Sequence, residues 1–180
     1  MIKKLMVLSA WFLVMMLLPA SADAAQQGFD DKEIRIGQWG PQTGPAAPWG
    51  SVARGSGLLF NVVNEQGGIH GRKIKYFIRD DQYNPAQTKA VVKELVEREG
   101  VFAFVGGVGG ACGLAVMDYL QEKKVIWVGP SAAITQFVFP AKPYVFAVYP
   151  LYEDEGSILT KFVVEKLKAK KIGFFYQNDA

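Results

Sequence analysis

The chain has 180 residues, half of them hydrophobic, with 20 basic against 17 acidic side chains, one histidine and one cysteine. That is about one domain's worth of chain with enough apolar mass for a core, and a net charge of only +3 argues against the basic face of a nucleic-acid binder. One cysteine and one histidine exclude an ordinary zinc site, and Cys112 has no second cysteine with which to form an internal disulfide.

The first stretch is set apart by composition. Lys3 and Lys4 precede an apolar run over residues 5–18 that only Ser9 interrupts and Pro19 ends. Ala20-Ser21-Ala22 and Ala22-Asp23-Ala24 both offer small-x-small cleavage sites. This is the layout of a secretory signal peptide, expected over residues 1–24, and the run is shorter than the roughly 20 residues of a membrane span. Lys3 and Lys4 also carry two of the three net positive charges, so the remainder is close to neutral.

From Glu33 the pattern becomes regular. Residues 33–39 alternate and read as a strand. A Gly- and Pro-rich loop over 40–48 leads to Trp49 and then a helix over 51–65, with Leu59, Val62 and Val63 as its apolar stripe. Gly67-Gly68 stops it. Residues 74–78 form a second strand, closed by Asp80-Asp81. Asn84 suits a helix cap and Pro85 the first helical position; Val91, Val92, Leu95 and Val96 give that helix a buried face, and Gly100 ends it.

Two uninterrupted apolar runs, 101–105 and 125–128, flank a glycine-rich loop over 106–113 and a helix over 114–122. Strands buried on both faces look like these runs, and parallel strands need a helical crossover between them. Residues 145–148 add a strand. Glu153, Asp154 and Glu155 open a helix that ends in Lys166, Lys168, Lys170 and Lys171, charges that complement the helix dipole; Ile158, Phe162 and Leu167 lie on or near one face. A last strand is expected over 172–176. The fold class is α/β with a parallel sheet.

In such sheets ligands bind beyond the carboxyl ends of the strands, where 106–113 and 129–133 leave the sheet. Gly106, Gly107, Gly109, Gly110 and Gly113 either cradle a small anionic group on bare backbone N–H groups at a helix start or only let the loop turn tightly. Gly107 and Gly109 begin a G-x-G-x-x-G, but Cys112 takes the third place, and no Lys-Ser/Thr pair follows, so neither nucleotide loop is present. Asp80 and Asp81 point to opposite faces of a strand, which suits a structural role better than a shared proton. Cys112 has no evident base beside it, His70 sits in a turn, and no serine occupies a nucleophile elbow. Trp49, in its loop, suits a pocket wall; Trp39 suits either a wall or the core.

With these residues in place, the chain resembles the leucine/isoleucine/valine-binding type of periplasmic solute-binding protein. The marks are Ile34-Arg35-Ile36-Gly37, Thr43-Gly44-Pro45 and Trp49-Gly50, then residues 64–74 (NEQGGIHGRKI), Asp81 with Pro85, residues 106–113, Pro130-Ser131-Ala132, and residues 176–179 (YQND). The resemblance covers residues 33–180. It implies a type I periplasmic-binding-protein fold: a parallel-sheet three-layer lobe over 33–148, then a crossover and the start of a second lobe, only begun, over 149–180. It implies a small amino-acid-like, carboxylate or amide solute bound between lobes, delivery to the permease of an ABC importer, no enzymatic activity and no cofactor. An extracytoplasmic sensing lobe of a signalling receptor is the alternative. Position by position, Trp49 matches an aromatic that packs on the ligand, and Gly110, with Ala111 beside it, the place of a hydroxyl residue that holds the ligand carboxylate. Ser131, followed by Ala132, matches a position that offers a carbonyl, and Ala133 that of a threonine. Both hydroxyls are lost here, which weakens the case for an α-amino acid and leaves amides and other carboxylates open. The implied length also exceeds this chain, which is expected to be incomplete or prematurely terminated.

Overall fold

Seven alternating residues, Glu33–Trp39, form β1, and their alternation sorts Ile36 and Gln38 to one face and Gly37 and Trp39 to the other. A computed structural model describes residues 28–177 of the chain; the expected signal peptide over 1–24 lies outside the described residues, as do Asn178 and Asp179. A single-turn 3₁₀ helix at Ala47–Gly50 carries Trp49 into α1, Ser51–Glu65. Then follow β2 (Lys73–Arg79), α2 (Pro85–Glu94), β3 (Ala103–Val105), α3 (Gly110–Glu122), β4 (Ile126–Val128), β5 (Val145–Phe146) and α4 (Tyr152–Glu165).

The sheet is parallel throughout, in the order β2-β1-β3-β4-β5. The chain winds outward from β1 to β2, then returns across β1 to β3 and continues the other way. The reversal leaves a crevice beyond the carboxyl ends of β1 and β3, because the connections leaving those two strands go to opposite sides.

Helices cover both faces. On one, α2, the π turn Leu95–Glu99 that follows it, and α3 bury Val92, Leu95, Val96, Val116, Met117 and Leu120 against Trp39, Phe104 and Trp127. Trp127 is the hub: its ring centroid lies 5.0 Å from that of Trp39 and 4.9 Å from that of Phe137, and its indole N–H donates to the Gly106 carbonyl at 2.6 Å. On the other face, α1 sets Phe60 and Val63 against Ile36, Ile74 and Ala103.

Caps and breakers behave as the residues predict at α2. The Asn84 side chain accepts from the N–H groups of Ala86 and Gln87, Pro85 opens the helix, and Gly100 closes the following π turn, Leu95–Glu99, in a left-handed conformation.

Other expectations change. Of the expected stripe on α1, Val63 packs on the sheet, but Leu59 and Val62 are exposed; Phe60 packs beside Val63, and Ala53 is buried. Gly57 lies over the Tyr76 ring, and Asn64 turns its amide to the edge of β2, accepting from the Ile74 N–H at 2.7 Å and donating to the Ile74 carbonyl at 2.8 Å. The helix α3 begins at Gly110, four residues before the expected start, because two of the loop glycines are helical. A Cβ on Gly113 would lie 2.5 Å from Phe137 and 2.7 Å from Trp127, so the helix packs on the aromatic core only without one. The terminal lysines fall past the end of α4 rather than in its last turn. Residues 172–177 are exposed chain and not a strand, since no neighbouring strand offers them a hydrogen-bond ladder.

Candidate functional site

The loops leaving β3 and β4 are tied to each other. The Ser131 N–H donates to the Gly107 carbonyl at 2.9 Å, and Val108 and Ser131 form a parallel bridge beyond the sheet. This places 108–110 and 131–134 side by side above the crevice. They line a cavity of about 400 Å³ together with Trp49, Tyr83, Tyr152, Tyr176 and Gln177. A second hollow of about 250 Å³ shares Trp49, Val108, Ser131, Ala132 and Tyr152 with it and adds Ala133, Tyr149 and Glu155.

The floor is the start of α3. Its N-cap is Gly109, which has no side chain to accept from the N–H groups of the first turn. A helix start without such a cap turns partial positive charge and donors outward. The cap glycine sits at φ 100°, in a region few side chains tolerate. The glycines before it answer to packing: a Cβ on Gly106 would meet the Gln38 amide at 2.5 Å, and one on Gly107 the Trp39 ring at 2.4 Å. Packing thus accounts for Gly106 and Gly107, while the start of α3 at Gly109 and Gly110 keeps the geometry that the cradle reading needs.

Of the residues singled out from sequence, the structure brings Trp49, Gly110, Ser131 and Ala132 to the larger cavity and Ala133 to the adjoining one. Ala111 stands in the first turn of α3 but lines neither. Trp49 is 62% exposed above the cavity, whereas Trp39 is wholly buried and belongs to the core. Cys112 is buried in α3. The Ala133 carbonyl accepts the Tyr152 N–H at 3.0 Å, so that acceptor is already engaged. Sequence reasoning missed Tyr83, Tyr152, Tyr176 and Gln177. The signal for Tyr83 was its place in the turn after β2, at the same end of the sheet as the glycine loop.

Asp80 and Asp81 are structural, and they differ. Asp80 accepts from the Gln42 N–H at 2.8 Å and from the Thr43 hydroxyl, which fixes the loop leading to Trp49. Burial pushes the Asp80 carboxyl up, but these hydrogen bonds and those from the Gln82 and Thr43 N–H groups outweigh it and hold it below the usual range. Asp81 is fully buried and accepts from the Tyr83 N–H at 3.0 Å and the Thr88 hydroxyl at 2.8 Å. There burial dominates, the Asp80 charge adds to it, and the carboxyl titrates above its usual value. No cluster of His, Cys, Asp and Glu that could hold a metal ion occurs among the described residues, nor any helix long and apolar enough to cross a membrane.

The chain is similar in sequence and fold to known proteins. A family model described as periplasmic binding protein matches residues 33–180. The leucine-, isoleucine-, valine-, threonine- and alanine-binding protein of Pseudomonas aeruginosa is 29% identical over 146 residues, which is 81% of this chain and 39% of that protein. The solved fatty acid ABC transporter substrate-binding protein from Thermomonospora curvata is 27% identical with a TM-score of 0.73, over 81% of this chain and 36% of the other. The branched-chain amino acid transporter substrate-binding protein from Streptococcus pneumoniae, solved with isoleucine, is 28% identical with a TM-score of 0.70, over 77% and 40%. The chain thus spans about 40% of the length of these relatives.

Proposed function

The chain belongs to the periplasmic binding protein family, and on that premise we propose that it serves as the solute-binding component of an ABC importer. It acts in the periplasm, after removal of residues 1–24, and passes its solute to a membrane permease. The solute is small, amino-acid-like or another carboxylate or amide. One observation carries the reading: the loops after β3 and β4 and the uncapped start of α3 converge on one cavity at the reversal point of the sheet. Relatives named as binding proteins for amino acids and for fatty acids support it. Their named solutes have a carboxylate in common.

In this reading the N–H of Gly110, at the uncapped start of α3, receives the acidic group, and Trp49 packs on the body. Ser131, Ala132 and Ala133 form the remaining wall. With no hydroxyl at 110 or 133, the backbone supplies the polar contacts. The lobe over 33–148 binds first, and chain beyond the crossover at 149–180 closes over the solute.

Thermal unfolding of the chain with L-leucine, octanoate or benzamide tests the proposal. At least one should raise the melting temperature in a concentration-dependent way, since a ligand that binds only the folded state stabilises it by mass action. Gly110→Val, which places a branched side chain at the helix start, should abolish that rise. Equal ligand protection in the variant, at equal stability without ligand, would place the site elsewhere.

A further inference from the structure

The turn between β2 and α2 carries an aromatic ring into the cavity under unusual constraint. We propose that Tyr83 is a solute-contacting specificity residue, which seats a planar apolar body beside the acidic group at the start of α3. The inference rests on the cavity being the solute site and names what part of the solute this wall selects.

Gln82 and Tyr83 adopt φ of 51° and 59°, left-handed values that L side chains rarely take and that persist only where surroundings impose them. The surroundings here are explicit. Buried Asp81 accepts the Tyr83 N–H at 3.0 Å and the Thr88 hydroxyl at 2.8 Å. The Asp81 carbonyl accepts the Asn84 N–H at 2.8 Å, and Asn84 caps α2. The turn is therefore fixed from both ends, and its consequence is the position of one ring.

That ring occupies the place of a helix cap. A Cβ on Gly109 would stand 2.9 Å from the edge of the Tyr83 ring. No Ser, Asp or Asn fits there, although these are the residues that ordinarily cap a helix. The chain thus forgoes a cap on α3 to admit an aromatic face next to its first N–H groups. The Tyr83 hydroxyl accepts from the Gln177 amide at 3.0 Å, which holds the ring at its far end as well. Trp49, Val108, Ala132 and Ile134 complete a lining of rings and aliphatic groups, and none of the residues lining this cavity carries a formal charge. A flat apolar body matches such walls, since ring faces and edges gain from one another beyond the area they bury.

Calorimetric titration of the 180-residue chain with 3-phenylpropanoate and with propionate decides the point, because the two probes share a carboxylate and differ by the ring. The chain should favour 3-phenylpropanoate by about tenfold or more, and Tyr83→Ala should lose about tenfold toward that probe while propionate shifts by no more than about twofold. Tyr83→Phe, which keeps the ring, should recover most of the loss. Tyr83→Gly, free of the left-handed strain, should match Tyr83→Ala and exclude misfolding as the cause. Unchanged affinity for 3-phenylpropanoate in Tyr83→Gly, or equal losses for both probes, overturns the inference. Binding of L-leucine without binding of 3-phenylpropanoate overturns it too and leaves the solute-binding reading intact. If neither probe nor L-leucine nor octanoate binds, the solute site itself is wrong and the role of Tyr83 falls with it.

Discussion

Asp80 and Asp81 show how two adjacent carboxyls acquire opposite linkage to folding. The Asp80 carboxyl is held below its usual 3.8, so its ionised form is stabilised by the fold; that contribution is present above the unfolded value and is lost as pH falls through the lowered one. The Asp81 carboxyl is raised above 3.8, so the fold favours its protonated form, and the cost of ionising it appears as pH rises through the raised value. Asp81→Asn keeps an acceptor for the Tyr83 N–H and a partner for Thr88. It should therefore be more stable than the parent at pH 7, with the gain vanishing near pH 3. Asp80→Asn should lose stability at pH 7, and its deficit should shrink toward zero in the same acid range. Urea unfolding of both variants from pH 3 to 7 measures this; two curves of the same sign would show that the local hydrogen bonds do not govern these groups. A structural role for the pair is the sequence reading, but its reason is not the right one: β2 ends at Arg79, so the two carboxyls lie in the turn after the strand rather than on its opposite faces. That one of them pins Tyr83 in a left-handed turn was not legible in the sequence, because the turn depends on a buried contact with Thr88 seven residues later in the chain.

At the scale of elements, what acts locally was readable and what acts by contact was not. The α2 cap and its proline depend on a few adjacent residues, and the sequence shows them. Gly113 of α3 depends on rings that arrive from β4 and the 3₁₀ turn at Thr135–Phe137. Gly113→Ala tests this. Alanine suits a helix better than glycine by about 1 kcal/mol, but its Cβ would press into two buried rings, and overpacking costs about 1–3 kcal/mol. A net loss of about 1 kcal/mol is expected in denaturant unfolding, and a gain would show that Trp127 and Phe137 yield. Asn64 is a parallel case on the other face. Its amide completes the edge of β2 as a neighbouring strand would, so Asn64→Ala should cost about 2 kcal/mol, at about 1 kcal/mol per hydrogen bond. Of the apolar stripe assigned to α1 from periodicity, Val63 packs as expected and Leu59 and Val62 do not; the helix is also held by the Asn64 amide on Ile74, a polar contact that a hydrophobic pattern does not register. Residues 172–176 have the composition of a strand and lack its partner, and strand character without a ladder leaves exposed chain.

The whole molecule divides into a packed body and a poorly packed end. Among the described residues, both clusters of buried hydrophobics lie between Ile36 and Val145, whereas α4 buries no residue at all. Ile158, Leu159, Phe162 and Leu167 are each more than half exposed, as are Phe174, Phe175 and Tyr176. What ties this end down is polar and sparse: the Tyr152 N–H to the Ala133 carbonyl, the Thr135 hydroxyl to Glu153, and Gln177 to Tyr83. Packing of an apolar face supplies most helical stability in proteins, so α4 should open far more readily than the sheet. Hydrogen exchange should show amides of residues 154–165 exchanging orders of magnitude faster than those of β3, α3 and β4. Exposed apolar patches of this kind invite association; the paired change Phe162→Glu and Phe175→Glu should reduce concentration-dependent association in sedimentation while leaving the melting temperature of the lobe unchanged. If the cavity is the solute site, as proposed, the same asymmetry sets the affinity. A clamp binds tightly when two lobes bury the solute as a hinge closes, whereas α4 and the chain after it wall one side of this cavity without packing behind them. Association costs several kcal/mol in lost freedom whatever the contacts, and forgoing about 4 kcal/mol of them weakens binding roughly a thousandfold. The 180-residue chain should therefore bind its solute in about the millimolar range. Micromolar or tighter binding by a monomer, measured by calorimetric titration, would show instead that the lobe over 33–148 and its own loops suffice.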